Sequence, residues 1–176
     1  MNGARPSSTD DDIAMPVPGH ALVTGASSGI GAAISREYAR RGVPLVLTAR
    51  RGDRLEALAT TLRAQVPVEC IVADLADPAA PRGLQEEIDR RGLQVSHLVN
   101  NAGYGVPGSY LTSPWARHAA MVNVMVTSLA ELTYRVLPAM VDRGYGRIIN
   151  VASLAGLVPA PGGHASDADL WRHPVR

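Results

Sequence analysis

Short apolar runs alternate with longer amphipathic stretches from His20 to the neighbourhood of Val151. The runs are too short for helices, and their continuous apolar character is typical of strands buried on both faces. Strands alternating with helices predict an α/β fold, a Rossmann-like, doubly wound parallel sheet. The five predicted strands are Ala21–Val23, Pro44–Thr48, Glu69–Ala73, His97–Asn100 and Arg147–Val151.

Apolar stripes at helical spacing predict the helices between these strands. The first helix opens near Gly29 and ends at Gly42, and the last one is expected to kink at Pro138. We interpret every stripe as a core-facing surface. The stripes are Ile30, Ile34 and Tyr38; Leu55, Leu58 and Leu62; Leu84 and Ile88; and Met125, Leu129, Leu132, Val136 and Met140.

Composition narrows the class of protein. With 176 residues and 46% hydrophobic residues the chain suits one domain, and a net charge of +1 gives no case for nucleic-acid binding. Cys70 is the single cysteine and lies in an apolar run, which favours a buried structural thiol over a nucleophile. No membrane span, secretory signal or metal site is predicted, so a cytoplasmic setting is expected.

A glycine-rich loop, Thr24–Gly31, follows the first strand and runs into the first helix. Gly25 permits a sharp turn, Gly29 lets the backbone approach a pyrophosphate, and Gly31 allows close helix packing. Free N–H groups at the helix N-terminus favour an anion there. We therefore predict a dinucleotide-binding loop rather than a plain glycine-rich turn, with contacts that include Ser27, Ser28 and Ile30.

The end of the second strand predicts which dinucleotide is bound. A carboxylate at this place selects NAD through the ribose hydroxyl, whereas an arginine accommodates the additional phosphate of NADP. Ala49 and Arg50 occupy the place, and Arg51 can assist. A surface arginine pair is the alternative, but the missing carboxylate favours NADP over NAD.

Several motifs in a fixed order give the chain, from about His20 to Gly163, a resemblance to the short-chain dehydrogenase/reductase family. The cofactor loop Thr24–Gly31 comes first, and Asp74-Leu75 follows the third strand. The sequence Asn100-Asn101-Ala102-Gly103 follows the fourth. The resemblance implies that Asp74 and Leu75 contact adenine. It also implies that Asn100–Gly103 is the signature that stabilises the sheet, and that Asn101, Ala102 and Gly103 bind the cofactor.

The same resemblance implies catalytic roles for two residues. Asn123 matches the asparagine that organises a proton relay, and Ser153 matches the serine that steadies the substrate carbonyl. Taken without the family, Asn123 is a polar helical residue and Ser153 a turn serine, and the two interpretations are about equally supported. The substrate implied is a small carbonyl compound or alcohol.

The family's Tyr-x-x-x-Lys pair is not found at its expected place. The tyrosine is expected near Ser166 and the lysine near Leu170, but every positive residue is arginine and all five tyrosines precede Ser153. Ser166 lacks the acidity of a phenol, and His164 and His173 are interpreted as bystanders. A shifted reading frame from His164 to Arg176 is one hypothesis for this loss. Resequencing that finds an in-frame gene ending at Arg176 would refute it.

These observations predict three parts: a loose tail over 1–18, an NADP-binding domain over 19–163 and an aberrant tail over 164–176. The leading hypothesis is an NADP-dependent oxidoreductase, incomplete after its active-site serine and inactive as it stands. A non-catalytic NADP-binding or interaction module and an unstable fragment are the alternatives. The fifth strand is expected to be an exposed sheet edge, and self-association through helix 127–142 stays open.

Overall fold

The computed structural model describes residues 19–108 and 110–153 and the backbone of 164–165. The strands are β1 (His20–Thr24), β2 (Leu45–Ala49), β3 (Val68–Val72), β4 (Val95–Asn100), β5 (Val106–Pro107), β6 (Arg147–Asn150) and β7 (His164–Ala165). The α-helices are α1 (Gly29–Arg40), α2 (Gly52–Leu62), α3 (Ala80–Arg90), α4 (Trp115–Val122) and α5 (Ser128–Asp142). A short 3-10 helix spans Tyr110–Thr112, and a π-helix, Asn123–Thr127, joins α4 to α5.

Five strands form one parallel sheet in the order β3-β2-β1-β4-β6. Leu22 pairs with Val46 on one side and with Leu98 on the other, which places β1 in the middle of the sheet. All five predicted strands are confirmed, with ends shifted by one or two residues. The two short strands β5 and β7 pair antiparallel in a separate small sheet that the sequence pattern did not predict.

Two apolar clusters cover the two faces of the sheet. Leu55, Leu58 and Leu62 of α2 belong to one cluster together with residues of α1. Leu84 and Ile88 of α3 belong to the other, together with residues of α5. Helices therefore cover both faces, and the predicted doubly wound arrangement is confirmed.

The core face of α1 differs from the predicted stripe. Ile30 is 60% exposed, whereas Ile34 and Tyr38 pack against the core. The buried positions include Ala32 and Ala39, which are small. The prediction for Ile30 was wrong because this residue lies in the first turn of the helix, where the glycine-rich loop runs into it and the side chain is exposed.

The helix before β6 is longer and less regular than predicted. A continuous helical segment runs over Trp115–Asp142, and its π-helical turn widens the register in the middle. Met125 is consequently 41% exposed, while Val124 takes a buried position. The predicted core role of Met125 was therefore wrong. Pro138 lies inside α5, and the kink there stays a prediction.

This helical segment also corrects the expectation about membrane spans. Its 28 residues are long and apolar enough to cross a membrane by length and composition alone, with a mean hydropathy of 1.2 in the most apolar window. The core helix of a soluble protein meets the same test. Leu132, Val136 and Met140 of α5 do pack in the core, so the finding is weak evidence for a membrane.

Among the described strands, β6 lies at one edge of the main sheet, as predicted. Ile149 in this strand is 43% exposed. The predicted tail over 1–18 and residues 166–176 of the other tail lie outside the described residues. His164 and Ala165 are described only as the two-residue strand β7.

Candidate functional site

A solvent-open cleft with a volume of about 120 Å³ lies at the carboxyl ends of the central strands. Parallel α/β sheets bind their ligands at this edge. Most of the predicted cofactor residues meet here. The lining residues are Gly25, Ser27, Ser28, Thr48, Ala49, Arg50, Arg51, Ala73, Asp74, Leu75, Ala102, Gly103, Tyr104 and Val124.

Backbone crowding explains two glycines of the loop. Gly25 has φ of +66°, and a Cβ there would lie 2.9 Å from Ala102 Cα. A Cβ on Gly31 would lie 2.5 Å from both the Gly25 carbonyl oxygen and Asn101 Nδ2. Gly31 therefore packs on the loop itself and on the segment after β4, which refines the predicted helix–sheet contact.

Gly29 has a different environment. Its φ is +56°, and nothing lies within 4 Å of the place where a Cβ would be. The first N–H groups of α1 have no partner within the helix, since they precede its first turn. This end of α1 thus combines backbone donors with open space, as the approach of a pyrophosphate requires.

Thr24 holds the loop to the end of β4. Its side chain is buried, and its Oγ1 accepts hydrogen bonds from the backbone N–H of Asn101 at 2.9 Å and of Ala102 at 3.0 Å. The Asn101 amide in turn donates to the Thr24 carbonyl at 2.9 Å. The sequence pattern did not single out Thr24, although a hydroxyl residue between strand and glycine loop was a usable signal.

Asn100 performs a related task one residue earlier. Its Nδ2 donates to Asn150 Oδ1 at 2.9 Å and to Thr133 Oγ1 at 3.2 Å. These bonds join the ends of β4 and β6 and attach α5 to them. The segment after β4 is therefore supported from both neighbouring strands, consistent with the stabilising role that the family resemblance implies.

The two arginines after β2 face the cleft in different ways. Arg51 donates from one guanidinium nitrogen to Ser27 Oγ at 3.1 Å and to Ser28 Oγ at 2.8 Å. The guanidinium of Arg50 lies 5.5 Å from the centre of the Tyr104 ring, and its Nε is 4.0 Å from Asp74 Oδ1. Two permanent positive charges thus flank the glycine-rich loop.

Asp74 and Leu75 lie on the opposite wall of the cleft from the loop serines. Asp74 Oδ1 accepts a hydrogen bond from the backbone N–H of Ala76 at 3.0 Å, which shapes the turn after β3. Leu75 is buried, and its carbonyl accepts from Ser128 Oγ at 2.8 Å. The turn is therefore attached to the start of α5.

Asn123 also contacts this turn. It is the first residue of the π-helix, and its Nδ2 donates to the carbonyls of Leu75 at 3.2 Å and Ala76 at 3.0 Å. Ser153 is exposed and follows β6 by three residues. The proposed roles of both residues in catalysis stay predictions, and the places expected for the tyrosine and lysine, Ser166 and Leu170, lie outside the described residues.

Cys70 lies away from the cleft, on β3. It is partly buried against the core, and its Sγ donates a weak hydrogen bond to the Leu55 carbonyl at 3.8 Å. Burial, helped by the nearby Glu56 carboxylate, raises the thiol pKa to about 11. The thiolate is therefore scarce at neutral pH, which agrees with a structural rather than a nucleophilic cysteine.

The site as a whole fits a dinucleotide. A glycine loop opens onto a helix N-terminus, two arginines stand at the end of β2, and polar groups line the turn after β3. No group of three or more metal-ligating side chains occurs within the part of the chain that the structure describes. The fold is that of the doubly wound α/β class, whose members bind nucleotides at this edge of the sheet.

Comparison with known proteins identifies the family. The family model for short chain dehydrogenases matches residues 19–166. Sulfoacetaldehyde reductase of Chromohalobacter salexigens is 40% identical over 149 residues, which cover 84% of this chain and 59% of that protein. The chain therefore belongs to the short-chain dehydrogenase family of nicotinamide-dependent oxidoreductases.

Solved structures agree with this assignment. A short-chain dehydrogenase from Sphingobium yanoikuyae in complex with NADPH superposes with a TM-score of 0.75 at 38% identity, covering 82% of this chain and 57% of that one. A metagenomic short-chain oxidoreductase in complex with NADP gives a TM-score of 0.76 at 35% identity, covering 87% and 67%. The chain thus spans somewhat more than half the length of most of these relatives.

Proposed function

We propose that the chain binds NADPH in the cleft and forms the cofactor-binding half of an oxidoreductase that interconverts a small carbonyl compound and an alcohol. The observation that carries the proposal is the junction of the glycine loop, the Arg50–Arg51 pair and the Asp74 turn in one cleft. Two solved relatives hold NADPH or NADP, which supports the choice of cofactor.

The strand order suggests how the dinucleotide lies across the sheet. The loop after β1 receives the pyrophosphate, and the end of β2 receives the adenosine ribose. Because β4 adjoins β1 on the other side, the nicotinamide half extends over Ala102 and Gly103. The substrate then lies towards Ser153 after β6, the next strand in the sheet.

Preference for NADP over NAD rests on charge. The segment Ala49–Arg51 contains no carboxylate, so a ribose phosphate meets two guanidinium groups there, and the Asp74 carboxylate in the same cleft lies 4.0 Å from Arg50 Nε. Arg50 is the proposed selector. Arg51 assists by holding Ser27 and Ser28, whose hydroxyls also face the cleft. Asp74 and Leu75 are proposed to contact the adenine.

Turnover by these 176 residues is not expected. The proton step needs a phenol with a nearby cation, because an unperturbed tyrosine has a pKa of about 10. The sequence contains no lysine and no tyrosine after Tyr145. Ser153 is proposed to orient the carbonyl and Asn123 to organise the relay, but neither supplies the acid.

The missing tyrosine and lysine favour a second candidate function. The chain would then be a non-catalytic module that binds NADP or another copy of the chain. Saturable NADPH binding without carbonyl reduction would support that function, whereas reduction of any carbonyl substrate would show that the chain is an enzyme. Self-association is proposed through helix 127–142. A cytoplasmic setting and the absence of nucleic-acid partners also stay proposals.

A binding experiment tests the proposal. Titration calorimetry of the wild-type chain is expected to give tighter binding of NADPH than of NADH. Arg50→Ala is expected to weaken NADPH about ten- to a hundredfold, since a lost hydrogen bond to a charged group costs roughly 1.5–3 kcal/mol, while NADH is unaffected.

Arg82→Ala on α3 is the matched control, because Arg82 is exposed and remote from the cleft lining. Absence of NADPH binding in a chain that melts cooperatively would refute the proposal. Absence of a cooperative melt would favour an unstable fragment.

A further inference from the structure

We infer that Met125 forms the apolar wall against which the nicotinamide ring of the bound dinucleotide rests, an inference that depends on the proposed function. The nearest atoms to a Cβ built on Gly103 all belong to Met125: Cγ at 3.6 Å, Cε at 3.7 Å and Sδ at 3.8 Å. Met125 thus lies against the segment that follows β4, next to the cleft lining but not part of it.

The position of Gly103 after β4 relates this contact to the bound cofactor. Gly103 follows β4 by three residues and lines the cleft. The end of β4 lies on the far side of β1 from the two arginines. A dinucleotide whose phosphate-bearing ribose lies at Arg50 and whose pyrophosphate lies on the loop must therefore bring its nicotinamide half past Gly103.

The helix geometry shows that Met125 is not placed there by core packing. Regular spacing from Leu132, Val136 and Met140 buries Val124 and Ser128, and Met125 is 41% exposed. The π-helical turn Asn123–Thr127 produces this arrangement, and such turns are frequent at functional sites. An exposed thioether beside the cleft can contact the face or edge of a planar ring.

Met125 also differs from its polar neighbour in the same turn. The Asn123 amide donates to the Leu75 and Ala76 carbonyls, so it is directed to the turn after β3. Met125, two residues later, is directed to the segment after β4. The two residues of the π-helical turn therefore have different roles. Asn123 holds the turn after β3, where the adenine is proposed to bind, and Met125 contacts the nicotinamide half.

The inference is tested by comparing the binding of NADPH with the binding of a fragment that lacks the nicotinamide. Titration calorimetry compares NADPH with 2′,5′-ADP, which keeps the phosphate-bearing adenosine and lacks the nicotinamide. Met125→Ala is expected to weaken NADPH about two- to tenfold, as loss of one sulfur–ring contact implies, and to leave 2′,5′-ADP unchanged. Met125→Leu keeps an apolar side chain of similar size and is expected to retain most of the NADPH affinity.

Leu137→Ala is the matched control, because Leu137 is 44% exposed and lies on the same helical segment twelve residues after Met125, roughly 18 Å away along the helix axis. It is expected to change neither affinity. Equal weakening of both ligands by Met125→Ala, or no change in either, would overturn the role of Met125. A wild-type chain that binds neither ligand would instead refute the proposed function, and this inference with it. If Met125→Ala fails to melt cooperatively, Met125→Gln, which keeps the length but adds polarity, takes its place with the same expectation.

Discussion

Gly29 and Gly31 stand two residues apart in the cofactor loop and are glycines for different reasons. At Gly31 a side chain would collide with the Gly25 carbonyl and the Asn101 amide. At Gly29 there is room for a side chain, but the backbone has positive φ. A methyl group at Gly29 would also occupy the open space that we propose for the approach of a pyrophosphate.

We expect Gly31→Ala to lower the free energy of unfolding by about 1–3 kcal/mol, as overpacking at a rigid contact does. Gly83→Ala in α3 is the matched control, because Gly83 is helical with nothing within 4 Å of its Cβ position. That control is expected to gain roughly 0.5–1 kcal/mol from helix propensity. Urea unfolding followed by circular dichroism measures both variants. A Gly31→Ala chain as stable as wild type would show that the loop yields easily.

In the long helical segment the structure confirms the predicted core positions Leu132, Val136 and Met140 but not Met125. The buried positions follow one another at a spacing of four and are Val124, Ser128, Leu132, Val136 and Met140. The sequence stripe contains Met125 and Leu129 instead, because a pattern search favours the larger apolar residues. In the folded chain the position on the helix decides which residue is buried. Ser128 can be buried because its hydroxyl donates to the Leu75 carbonyl.

Two leucines of α5 provide a test of this face. Leu132 is buried between α5 and the sheet, whereas Leu137 is 44% exposed. We expect Leu132→Ala to lower the free energy of unfolding by about 2–5 kcal/mol, since it leaves a core cavity. Leu137→Ala is expected to cost less than about 1 kcal/mol, as most surface substitutions do. Similar losses for both variants in chemical unfolding would contradict the assigned face.

The long helical segment carries several exposed apolar side chains. Val126, Tyr134, Leu137 and Val141 of the long helical segment are each at least 44% exposed, and β6 is an open edge among the described strands. Apolar surface of this kind is typical of an interface or an aggregation site. The feature supports self-association through helix 127–142.

We expect Val141→Arg to shift the chain towards monomer, because a charge on the apolar face opposes its burial against a second copy. Ala57→Arg is the control, since Ala57 is exposed on α2, which covers the opposite face of the sheet. Sedimentation velocity over a range of concentrations measures the association. An identical concentration dependence for both variants and wild type would exclude this face as the interface.

Strand positions and the cofactor loop could be predicted because both depend on local signals. Continuous apolar runs mark central strands, and a glycine loop placed between a strand and a helix is typical of a dinucleotide-binding turn. Arg50 could also be predicted, as it follows a strand directly. The contacts of Thr24 and Met125 could not, because they join segments distant in the chain, Thr24 to Asn101 and Met125 to Gly103. The hydroxyl of Thr24 before the glycine loop was a usable signal for the residue but not for its partners.

The sequence by itself determined the class of fold, the family and the order of the cofactor motifs, because periodicity and motif spacing are properties of the chain alone. Only the tertiary structure decided that Ile30 is exposed, that Met125 leaves the core and that Thr24 fastens the loop. Each of those outcomes depends on which segments meet across the sheet. The environment of a side chain depends on which segments are in contact in the folded chain. Apolar periodicity indicates only which face of an element tends to be buried.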